Sequence, residues 1–156
     1  LLKRPIDPAH VSCPSFDLTQ LIGESLDRTA TVSDYFANVP EAAIDSEAFT
    51  ILSARDIYSH AKTVIPCCYT VEFGFVPIAT ELSGDTFTVD VTDGRVFLLS
   101  HEKYGSDGIH PGWNDDCSAF LPTRSVNRES IIDTCEATWD SIADFLDECL
   151  SQTMER

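Results

Sequence analysis

The chain has 156 residues, 43% hydrophobic and 10% aromatic. That suits one domain, residues 1–156, with one core, and it excludes wholesale disorder. Its 26 acidic residues against 10 Lys and Arg give a formal net charge of −16, which repels phosphate backbones and argues against nucleic acid and anionic membrane as partners. The same charge would steer a basic protein towards the surface, although acidity also serves solubility alone.

No uninterrupted apolar run approaches the roughly 20 residues that span a bilayer. The opening Leu1-Leu2-Lys3-Arg4-Pro5 carries neither an initiator Met nor an apolar signal segment, so the true beginning is expected to be missing or removed. The lack of an apolar span makes a soluble protein the expectation, and the cysteines a cytoplasmic one. The cysteines Cys13, Cys67, Cys68, Cys117, Cys135 and Cys149 are even in number, but a chain of this size does not need disulfide staples. They read as free thiols in a reducing compartment.

Residues 1–16 form an extended lead-in with three prolines up to Pro14. From Asp17 a short amphipathic helix is expected, with Leu18, Leu21, Ile22 and Leu26 on one face. A second helical turn around Tyr35 and Phe36 follows, interrupted by Pro40. Phe49–Leu52 has strand character, and Ser53, three residues before Asp56, opens a short helix over 54–61 that turns Ile57 and Tyr58 to the core. If Cys67 and Cys68 lie in a strand, they point to opposite sides.

Phe75–Ala79 predicts a strand whose Pro77 argues for an edge or a strand end. Leu82-Ser83-Gly84-Asp85 is turn chemistry. Thr86–Val91 alternates strictly, with Phe87, Val89 and Val91 on one face and Thr86, Thr88 and Asp90 on the other, the pattern of a half-buried antiparallel strand. Asp93-Gly94 makes the hairpin, and Arg95–Ser100, apolar on both faces, returns as a central strand. A three-stranded meander results. His101–Asn127 is rich in turn formers. Thr138 is the expected cap of a last helix carrying Trp139, Ile142, Ala143, Leu146, Cys149 and Leu150 at helical spacing.

Candidate chemistry is sparse. His10, His60, His101 and His110 are scattered without the ligand spacing of a zinc site, so neither metal nor cofactor is expected. Cys117 lies near His110, Asp115 and Asp116, yet a nucleophile also needs a base in reach and an oxyanion site, which sequence proximity does not supply. No motif selects one carboxylate pair among so many acids. Trp113, in the loop segment His110-Pro111-Gly112-Trp113, is either packed on the core edge or an exposed binding anchor.

The order of Phe75–Ala79, Ser83-Gly84-Asp85, Thr88-Val89-Asp90, Asp93-Gly94 and Val96-Phe97 resembles the core signature of the SUKH superfamily, which includes the fungal cell-wall assembly regulators. Thr138–Leu146 is similar to the family's final helix and Ser53–Tyr58 to its early helix, so the resemblance covers about residues 49–150. The segment Leu18–Ala43 matches the family's opening only loosely. The resemblance implies an α+β fold with a curved, mostly antiparallel sheet and helices on one side. It also implies a non-catalytic, protein-binding role: an immunity-type protein that neutralises a toxin, such as a nuclease, or alternatively a regulatory or scaffold domain for an endogenous partner. A hydrolase using Cys117 or a carboxylate pair ranks behind both. The expected contact surface comprises Glu81, Asp85, Asp90, Asp93, Glu102, Trp113, Asp115 and Asp116.

Overall fold

The alternating segment Thr86–Asp90 is a strand, and the sheet extends from it on both sides. The computed structural model describes residues 16–24, 26–104 and 126–154. Six strands, β1 (Ile44–Asp45), β2 (Phe49–Ile51), β3 (Phe75–Glu81), β4 (Thr86–Asp90), β5 (Val96–Leu99) and β6 (Ala137–Trp139), lie in sequence order with every neighbouring pair antiparallel. The expected three-stranded meander is therefore the middle of an open six-stranded one. With helices α1 (Thr19–Ile22), α2 (Ala30–Ala37), α3 (Ala54–Thr63), α4 (Cys67–Thr70), α5 (Arg128–Asp133) and α6 (Ile142–Met154), the fold is α+β.

Local chemistry sets most boundaries. Thr29 caps α2 by accepting from the Val32 N–H at 3.3 Å, and Ser53 caps α3 by accepting from Asp56 at 3.2 Å. Asn127 and Ser130 cap α5 reciprocally. Between β4 and β5, Gly94 takes φ +82° and donates its N–H to Asp90 at 2.8 Å, a conformation that Cβ-bearing residues resist.

Four expectations need correcting. Pro77 sits in an interior strand, between β2 and β4, tolerated where the β3–β4 register shifts between Pro77 and Ala79. Cys67 and Cys68 occupy a helix, α4, and Cys67 is fully buried. Thr138 belongs to β6; the cap of α6 is Ser141, which accepts from Asp144 at 3.0 Å. The buried stripe of that helix is Ile142, Phe145 and Cys149, whereas Ala143 and Leu150 face outward.

The fourth correction concerns β4, buried along its whole length rather than on one face. Strand alternation sends Phe87 and Val89 into the larger core with Val32, Phe36, Ile57, Val76, Ile78, Ile142 and Phe145, beneath α2, α3 and α6. The opposite face carries Phe75, Phe97 and Leu99, joined by Tyr104, Ile131, Ile65, Tyr69 and Phe73. Thr88 lies in register with Pro77 and Phe97, so it shares that second face. The longer helices pack on one side of the sheet, and short helical turns with α5 cover the other.

Candidate functional site

The acids of the expected contact surface do not gather in one place. Glu81, Asp85 and Glu102 cluster at the β3–β4 hairpin end: His101 Nδ1 lies 2.7 Å from Asp85 Oδ1, and the His101 N–H donates to the same oxygen at 3.1 Å. Asp90 and Asp93 lie at the other end of β4, five residues or about 16 Å away. Asp93 is exposed but accepts from Arg95 Nε at 2.8 Å. Asp90 cannot meet a partner, because it is 0% exposed. It belongs to the interior instead: Oδ1 accepts from the Thr92 N–H at 3.0 Å and the Thr92 hydroxyl at 2.7 Å, and Oδ2 pairs with Arg128. Trp113, Asp115, Asp116 and Cys117 lie outside the described residues.

A groove between α6 and the sheet has the shape of a site. Its floor is a transverse row set by strand register: Phe49 opposite Glu81, then Phe87 opposite Leu98, and Leu98 opposite Ala137. Trp139 and Phe145 extend this floor, with ring centroids 5.5 and 4.7 Å from Phe87. Glu148, Cys149 and Gln152 of α6 form the wall, and Ala48 from the β1–β2 turn closes one end. The cavity volume is about 210 Å³. Two carboxylates, Glu81 and Glu148, stand among these apolar walls, and neither takes part in any of the four ion pairs among the described residues.

Neighbours fix how the carboxylates point. Trp139 Nε1 donates to Glu148 Oε2 at 2.5 Å, and the Ser83 hydroxyl donates to Glu81 Oε2 at 3.2 Å. Of the expected residues that are described, only Glu81 lies in the groove. Trp139, Glu148 and Phe145 were missed as site residues, because their convergence depends on β6 folding beside α6. The aromatic anchor sought at Trp113 has a counterpart in Trp139, which was read only as part of a helical stripe.

The described thiols are poorly suited to nucleophilic work. Burial pushes the Cys67 thiol up to about 12 and the Cys149 thiol up to about 11, and it raises Cys68 and Cys135 as well. Among the described residues no cluster of His, Cys, Asp and Glu could hold a metal ion, and no helix is long and apolar enough to cross a membrane. No protein-family model matches the chain, and no curated protein or solved structure matches it either.

Proposed function

We propose that the chain is a SUKH-type, non-catalytic protein-binding domain that docks on a basic protein, and that it serves as an immunity-type protein neutralising a toxin. One observation carries the docking reading: among the described residues, carboxylates facing water far outnumber cations facing water. Arg95, Lys103 and Arg128 are held by Asp93, Glu136 and Asp90. Asp34, Glu72, Glu129, Asp133, Asp144 and Asp147 are exposed on elements all around the molecule. The outward charge is therefore predominantly negative, with Arg55 and Lys62 the exposed cations among the described residues, which raises the rate of encounter with a cationic partner and repels nucleic acid.

A nuclease toxin fits this chemistry, since its active site must be basic to hold phosphates, and an acidic surface can occupy or shadow it. A cytoplasmic location follows from that role. The test is a pull-down with the product of the adjacent gene. A toxin captured tightly at low salt and released as salt rises supports the proposal. Capture of an endogenous, non-toxic protein would replace the immunity role by the regulatory or scaffold one. Absence of salt-sensitive binding to any basic protein would sink the docking reading itself.

A further inference from the structure

We infer that the groove between α6 and the sheet receives one arginine side chain of the basic partner, its guanidinium directed to Glu81 and Glu148 and its stem lying over Phe87 and Trp139. The inference rests on the docking reading above and adds the contact that would anchor it. Four features lead to it.

The cavity, about 210 Å³, is smaller than the roughly 300–1,000 Å³ of small-molecule sites, so it suits a side chain better than a cofactor or metabolite. Its floor of Phe49, Phe87, Leu98, Trp139 and Phe145 is apolar, which favours a long aliphatic stem. Glu81 and Glu148 pair with no cation among the described residues, and apolar walls strengthen their attraction for an external one. An arginine satisfies both demands together, because its planar head pairs with carboxylates in two-pronged fashion and stacks on aromatic faces, which lysine does not.

The experiment is amide and indole chemical-shift mapping with three probes: N-acetyl-arginine amide, its uncharged citrulline counterpart, and N-acetyl-leucine amide. The arginine probe should shift the Trp139 indole N–H and the Gln152 signals, and the citrulline probe should not. Glu148→Gln and Glu81→Gln should each weaken arginine binding about fivefold or more, whereas Glu129→Gln and Asp34→Asn should change it less than twofold. Shifts spread over the whole acidic surface, equal response to citrulline, or preference for leucine would overturn the inference. A basic protein that still binds the Glu81→Gln/Glu148→Gln double variant undiminished would overturn it too, while leaving the broader docking function standing.

Discussion

Replacing Arg128 with Met probes how the second face of the sheet is held. Arg128 pairs with buried Asp90, donates to the Phe73 carbonyl at 2.7 Å and the Thr92 hydroxyl at 2.9 Å, and places its guanidinium 5.1 Å from the Phe75 ring centroid. Met keeps most of the apolar stem, so the loss is electrostatic. Asp90 would retain its two bonds from Thr92 while Oδ2 faced Phe75 and its neighbours without a counter-charge. Removing one member of a buried pair costs about 3–5 kcal/mol. Here the Arg128 side chain is 37% exposed, so water can reach the vacated position, and the loss should fall to about 2–3 kcal/mol. With a urea slope of about 1–3 kcal/mol per molar, the unfolding midpoint should drop by about 0.7–3 M, read by far-UV circular dichroism. The Asp90→Asn/Arg128→Met double variant should be more stable than the sum of the single losses predicts, because no uncompensated charge remains. A single-variant loss below about 1 kcal/mol, the range of exposed ion pairs, or strict additivity, would refute the reasoning.

Ser53→Ala removes the cap of α3 and a 2.6 Å bond from the Ser53 hydroxyl to Asp56; it should cost about 1 kcal/mol, checked by the thermal midpoint. Cys67 gives a pH signature. Burial raises its thiol from 9.0 to about 12, so above about pH 9 the unfolded chain releases a proton that the folded chain keeps. The stabilisation is complete below that pH and is lost as the pH climbs towards 12, so Cys67→Ala should flatten the alkaline decline by about 1.4 kcal/mol per pH unit. Urea midpoints between about pH 8 and about pH 11 test this, and an unchanged slope would mean that Cys67 contributes none of it.

What the sequence disclosed was governed by short range. Ser53 with Asp56, Gly84 and Gly94 in hairpins, and the alternation of β4 all act within four residues, so periodicity and turn chemistry revealed them. The cap of α6 was also within reach: Ser141 and Asp144 repeat the spacing of Ser53 and Asp56, a pattern Thr138 lacks. Asp90 was not legible. Alternation places it on the polar face of β4, and α5, whose Arg128 is 38 residues distant, together with the short turns that bring in Tyr69, Phe73 and Tyr104, converts that face into interior. The groove was hidden for a similar reason. Glu81, Trp139 and Glu148 belong to three elements, and nothing in their spacing reveals that β6 closes the sheet beside α6.

The outer side of α6 offers a way to separate stability from binding. Asp144 stands three residues before Asp147 and four before Glu148, all exposed, and like charges at those separations weaken a helix by about 0.2–0.5 kcal/mol per pair. Such repulsion has no value to a domain that only needs to fold, but it concentrates negative charge beside the groove. Asp147→Lys turns one repulsive pair attractive without touching the Trp139–Glu148 bond or any groove-lining residue. The free protein should therefore gain a few tenths of a kcal/mol, while its association rate with a basic partner falls several-fold and depends less on salt. Opposite signs for the two quantities identify a surface kept acidic for docking. A variant that gains stability with an unaltered association rate would show that this face of α6 plays no part in the encounter.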